Sequence, residues 1–577
     1  MRPRHVAVVT GGIAVIVAIA SVGYYTTRAA QGQSVPPPDA IYYNAKVVTV
    51  DARFSYAQAV AMTGDTFTAV GSNAEVRRLA GPNTRQVDLL GLTVIPGIGD
   101  NHLHGVGGGP GIDLSRARSV DDVLQAVAAR VKQSKPGDVI VSNSNWHEGQ
   151  LKEQRFPLRR EIDTVAPQNP VVLSRGCCQY ILNSAGLTRW NITKDTQEPN
   201  AGRIMRYPDG ELNGEIINQA RQLVQLPAAA PRTLEQRIQG TIDDYNRLHA
   251  AGVTAVRYAT DPIDNYRMRQ GMQRRGLLTM RVSQMVTRPN VEPAALAQAI
   301  QAWGVGPRDG DAMLRVGGIA MGGVDGGFEG ALMREPYAEP YGERGKYRGL
   351  QTVMADRYTE NVKVVNRLGW TVFTDAIGDA GIDLVLAAYE AANAEQSIVG
   401  RRWGIEHAFI PAADQFPRMK KLDLYISAHP HLYVAAPSLV RYWGPKRAAW
   451  TTPVKAFLDA GLPVSGGSDS PTIPHEPMKQ LYHWITRDTI TGGVMGADQR
   501  VSREQALRFV THNYWYLMFQ EDKNGVIAPG RYADMVVLAE DIMTVPEKRI
   551  EQMNVLMTMV GGKIVYRHAD FARISTQ

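Results

Sequence analysis

Eight short apolar runs, with segments of helical spacing between them, divide the middle of this 577-residue chain. They are Thr93–His104, Val253–Ala259, Leu278–Ser283, Leu314–Met321, Trp370–Ala376, Trp403–Ala408, Leu424–Pro430 and Leu462–Asp469. In Tyr358–Leu368, between the fourth and fifth runs, Val362, Val365 and Leu368 fall on one helical stripe. Strands that alternate with helices run parallel, because a parallel connection needs a crossover. Eight such units are what a closed (β/α)8 barrel requires, so the chain is expected to form a TIM barrel over residues 96–519. Residues 120–226 are too many for one connection between the first two strands and read as an inserted subdomain.

The two ends of the chain are β-rich and alike. Ala40–Val87 reads as short strands with Gly64-Asp65 as a hairpin turn, and the C-terminal part has a matching turn at Gly561-Gly562. Residues 40–95 and 520–570 are therefore expected to build one small β-domain around the barrel. Ahead of them, Arg2, Arg4 and His5 precede an apolar run from Val6 to Val22, the layout of an export signal or a signal anchor. Residues 1–39 are read as that segment plus a Pro-rich linker, with residues 6–25 a possible membrane tether. Either form places the rest of the chain outside the cytoplasm, in the periplasm or on the outer face of the membrane. A net charge of +7 without a long basic run argues against nucleic-acid binding. The two cysteines, Cys177 and Cys178, are adjacent and offer neither a disulfide framework nor a Cys-based zinc site, so free thiols are expected.

Residues that carry chemistry close these runs: Asp100, His102 and His104 on the first, Asp375 on the fifth, Glu406 and His407 on the sixth, His429 and His431 on the seventh, and Asp469 on the eighth. In a barrel those ends share one rim, where active sites are built. In an extended segment, His102 and His104 leave on one face, and two imidazoles there can close on a divalent metal ion. His475, His483 and His512 are scattered and read as structural, and Asp534 reads as a marker of the small β-domain.

The stretches PGIGDNHLH, NSAGL, GRIMRYPDGELNGE, DAIGDAG, GIEHA, GGSDSP and GVIAPGRYADMVVL occur in that order. They resemble the amidohydrolase superfamily, specifically its amidohydrolase-3 (YtcJ-like) family, over nearly the whole chain after residue 40. The resemblance implies a distorted TIM barrel, a β-sandwich from both termini, and hydrolysis of amide-like C–N bonds of a small-molecule substrate at one or two metal ions. In that scheme His102, His104 and His407 are ligands. Asp469 touches the metal and takes a proton from the attacking water. The resemblance also places the NSNWHEG loop over the site, where Trp146 either shapes the substrate pocket or is a buried anchor. Arg175 and Tyr207 are similar cases. His429 and His431 are either oxyanion donors and substrate contacts or an internally satisfied pair.

Two departures bear on the metal. Asp375 stands where the family usually has histidine, and Met321 where branches with two metals carry a carbamylated lysine. No lysine lies between Lys194 and Lys346, so no carbamylated lysine is expected. The favoured reading is one divalent ion, zinc before iron or manganese, on His102, His104, His407 and Asp469 with Asp375 as a further oxygen ligand. Alternatives are a second ion bridged by Asp325 or Glu329, a catalytically altered binding protein, and an ester or lactone hydrolase.

Overall fold

The computed structural model describes residues 36–228, 231–339 and 343–574. The expected export or anchor segment lies outside them, and among the described residues no helix is long and apolar enough to cross a membrane. The elements below all belong to the unit Pro38–Gln577.

All eight expected barrel strands form: β1 (Ile98–Leu103), β2 (Val253–Asp261), β3 (Arg281–Thr287), β4 (Leu314–Gly323), β5 (Val372–Ala376), β6 (Gly404–His407), β7 (Tyr425–Ala428) and β8 (Val464–Gly466). They make one parallel sheet in sequence order from β1 to β8. A parallel bridge between Leu103 and Ser470 closes it, with Asp469 N–H donating to the His102 carbonyl at 2.8 Å. The sheet and its surrounding helices form a distorted TIM barrel. The strands read as continuous apolar runs because helices cover the outer face while side chains fill the interior. The helix expected from Tyr358 begins three residues earlier, spanning Ala355–Arg367, and it buries Tyr358, Val362 and Val365.

Two strand readings need correction. The first run is two strands: Thr93–Pro96 pairs antiparallel with Met535–Leu538, and only Ile98–Leu103 enters the barrel. The break falls at Pro96-Gly97, where proline has no N–H for a ladder. A Cβ on Gly97 would lie 2.3 Å from Thr254 Oγ1, so the chain passes too close to β2 for any other residue. The third strand starts at Arg281 rather than Leu278. Leu278 and Met280 are buried in the approach to it, which explains their apolar character without strand pairing.

The N-terminal segment forms a four-stranded sheet of its own (Ala40–Tyr43, Ala59–Thr63, Thr66–Gly71 and Arg85–Asp88), and segments from both ends interleave in a six-stranded sheet that joins Thr93–Pro96 and Lys46–Val48 to Met535–Leu538, Val555–Val560 and Lys563–Arg567. Between β1 and the helix preceding β2, residues 140–218 build a separate five-stranded sheet with apolar clusters of its own. On the turn between its strands Val171–Arg175 and Gln179–Leu182, Cys177 and Cys178 are disulfide-bonded to each other. The expectation of free thiols is overturned: an adjacent pair needs no framework to close on itself.

Asp534 ties the terminal sheets to the barrel. Its buried carboxylate accepts from Arg281 Nε at 2.6 Å and Nη2 at 2.9 Å, and from the Gly561 N–H at 2.7 Å. Asp534→Ala would leave the Arg281 guanidinium buried and unpaired, at a cost of about 3–5 kcal/mol. Chemical denaturation of the variant should show that loss; an unchanged midpoint would mean the pair carries no structural weight.

Candidate metal centre

The C-terminal ends of β1, β6, β7 and β8 converge on one point. His102 Nε2 lies 3.2 Å from His104 Nε2 and 3.4 Å from Asp469 Oδ1, and His104 Nε2 is 3.2 Å from the same oxygen. Two nitrogens and one carboxylate oxygen thus face a common point, a donor set that suits a divalent first-row ion. Wider groups, each with one atom per residue within 4.8 Å of the others, are His102–His407–Asp469 and His407–His429–His431. His102 is buried while the His104 side chain is 38% exposed, so the centre opens to solvent on the His104 side.

The surroundings fix these rings. His102 Nδ1 is 2.8 Å from Glu406 Oε2, which leaves Nε2 as the nitrogen facing the centre. Glu406 in turn accepts from Arg257 Nη2 at 2.6 Å, and all three groups are buried. Burial alone would raise the Glu406 carboxyl, but the Arg257 guanidinium and the His102 imidazole hold it down at about 2. Burial alone would lower His102, yet the Glu406 and Asp469 carboxylates push it up to about 9: the pocket attracts positive charge. Asp469 is likewise held well below the usual carboxylate range against burial, by His102, His104 and His431. Burial pushes His407 down to about 3 and holds His429 well below the usual histidine range. His407 and Asp469 have φ of 72° and 58°, in the left-handed region; such backbone strain gathers where side chains must be aimed.

The other sequence-predicted residues fall into place around this point. Asp375 is half-buried on the fifth strand and driven up to about 6, by desolvation more than by the Glu406 charge, against the pull of His102. It belongs to none of the donor groups found among the described residues. His429 Nδ1 faces His407 Nδ1 at 2.8 Å and its Nε2 faces Ser427 Oγ at 3.0 Å, while His431 Nε2 is 2.9 Å from Asp469 Oδ2. Trp146 is buried in the core of the insertion, with Nε1–H donating to the Ser174 carbonyl at 2.7 Å. It also lines a cavity of about 750 Å³ that reaches Ser470 and Thr472, just beyond Asp469, and that includes His475. Tyr207 accepts from the Arg160 N–H within the insertion, and His483 is buried against the Asp488 carbonyl.

Asp325 and Glu329 do not supply a bridge. The Asp325 carboxylate accepts from the N–H groups of Leu332, Ile377 and Gly378, and burial raises it to about 7 against those bonds. Glu329 is paired with the buried Arg175, which also holds Glu148. That alternative is overturned because both carboxylates are committed to structural partners. Arg257 was missed in the sequence. Its signal was present: a lone charge inside the otherwise apolar VTAVRYA run, which only a buried acid can accommodate.

A TIM barrel with histidines and a last-strand aspartate gathered on its C-terminal rim defines a metal-dependent hydrolase. The chain matches the Amidohydrolase family over residues 85–566 and belongs to it. It acts on carbon–nitrogen bonds other than peptide bonds. It is 28% identical over 545 residues to an N-substituted formamide deformylase from Arthrobacter pascens, covering 92% of this chain and 98% of the relative. It is 24% identical to a putative amidohydrolase YtcJ from Bacillus subtilis (strain 168), covering 91% and 99%. The crystal structure of an uncharacterized metal-dependent hydrolase from Pyrococcus horikoshii OT3 shares the fold with a TM-score of 0.63 and 21% identity, over 88% of this chain and 99% of that one.

Glu406→Gln should weaken metal binding roughly 10–100-fold by loosening His102. Competition with a chromogenic chelator reads this; an unchanged affinity would show that His102 needs no such support.

Proposed function

We propose that this chain hydrolyses an amide-like C–N bond at a divalent metal held by His102, His104 and Asp469. The observation that carries this is the approach of three donor atoms from β1 and the end of β8 to within 3.4 Å of one another. Zinc suits the mixed nitrogen and oxygen donors, as do iron and manganese. A bound ion of this kind supplies an acidified water at neutral pH. Asp469, kept ionised by its histidine neighbours, accepts the proton of the attacking water and returns it to the leaving nitrogen. His431, hydrogen-bonded to Asp469 Oδ2, holds that carboxylate in place. The cavity beside Ser470 and Thr472 receives the substrate, and Trp146 forms part of its wall. The likeness to a formamide deformylase supports N-substituted formamides as the first compounds to screen.

The extracytoplasmic placement belongs to the same proposal. Its support is the apolar leader and the disulfide between Cys177 and Cys178, a bond that persists in oxidising compartments.

Asp469→Asn should lower kcat by about 10²–10⁴, the usual range for loss of a general base. A formamide assay on metal-loaded protein checks this, and wild-type turnover in the variant would remove Asp469 from the chemistry. Fusion of residues 1–39 to alkaline phosphatase should give active enzyme in a bacterial host; an inactive reporter would place the chain in the cytoplasm.

A further inference from the structure

The seventh barrel strand leads into a second pair of histidines two residues apart, His429 and His431, mirroring His102 and His104 on the first. With His407 they bring three buried ring nitrogens within 4.8 Å of one another. His431 Nδ1 is buried without a hydrogen-bond partner.

The tautomer of His429 follows from its neighbours. Ser427 Oγ–H donates to Asn101 Oδ1 at 3.1 Å, so the hydroxyl can only accept from His429. His429 therefore carries its proton on Nε2, 3.0 Å away, and Nδ1 presents a lone pair toward His407. One ring nitrogen of His429 is thus fixed by Ser427, as an outer partner fixes a metal-binding histidine, and the other shares a hydrogen bond with His407 Nδ1 at 2.8 Å, where an ion would take the place of the shared proton.

Asp469 stands between the two histidine sets. Its Oδ1 faces His102 and His104, and its Oδ2 faces His431 at 2.9 Å. Met321 and Asp375 occupy the positions from which the resemblance would draw ligands for a second ion, and Asp325 and Glu329 are committed elsewhere.

We propose that His407, His429 and His431 hold a second divalent ion, with the Asp469 carboxylate between it and the ion at His102 and His104. This rests on the metal-dependent reading above and adds to it a centre moved from strands four and five to strands six and seven. Imidazole donors select zinc and neighbouring transition metals over magnesium or calcium.

The test is zinc content of the purified full chain after reconstitution with zinc alone, measured by elemental analysis. Two equivalents in the wild type and one in His429→Gln are expected. One equivalent in the wild type would overturn the second site and leave the proposed function standing. Two equivalents in both proteins would overturn it as well, since the second ion would lie elsewhere. No zinc in the wild type would overturn both readings. If His429→Gln does not fold, anomalous diffraction at the zinc edge from wild-type crystals decides: two peaks, one beside His407, His429 and His431, support the site, and a single peak overturns it.

Discussion

Everything at the centre depends on how the barrel closes. The main chain of β1 and the segment after β8 bond to each other at the residues that bear the ligands: Asp469 N–H to the His102 carbonyl at 2.8 Å, and His104 N–H to the Ser470 carbonyl at 3.0 Å. Asp100 reinforces the seam from its side chain, accepting from Ser468 Oγ at 2.5 Å and Ser468 N–H at 2.9 Å. Close approach requires Gly467, because a Cβ there would lie 2.2 Å from Asn101 Oδ1 and 2.6 Å from His102 N. Residues more than 360 positions apart thus become neighbours through sheet closure, and a divalent ion would bind both edges of the seam.

A buried charge relay from Arg257 through Glu406 to His102 sets the chemistry of that seam. Burying such ions costs several kcal/mol each, and pairing offsets the cost only when geometry and hydrogen bonds are good. Here the relay holds one imidazole with a chosen nitrogen outward and makes the site attractive to cations. The same logic keeps Asp469 ionised in surroundings that would otherwise favour its protonated form. A carboxylate that stays charged while buried is what proton acceptance from water requires.

Much of this was legible in the sequence. Eight apolar runs counted the barrel strands correctly, and polar residues at their ends marked the rim. The resemblance assigned His102, His104, His407 and Asp469, and closure of the sheet brings these together. What escaped was what depends on tertiary partners. Thr93–His104 reads as one run, because nothing local says that Thr93–Pro96 pairs with Met535–Leu538. Leu278 and Met280 are apolar because they are buried, and an apolar run alone does not separate strand from approach. Asp325 and Glu329 were plausible ligands until the amides at Ile377 and Gly378 and the side chain of Arg175 were seen to claim them. Cys177 and Cys178 were read by counting, which has no rule for neighbours that bond to each other.

The central claim is that the closing seam holds a metal ion. Thermal unfolding of the chelator-stripped full chain, with and without added zinc, tests it most directly. Binding to the native state alone should raise the transition with zinc concentration, by about 2.7 kcal/mol at a hundredfold excess over Kd. A transition that does not move across that range of zinc would contradict the claim.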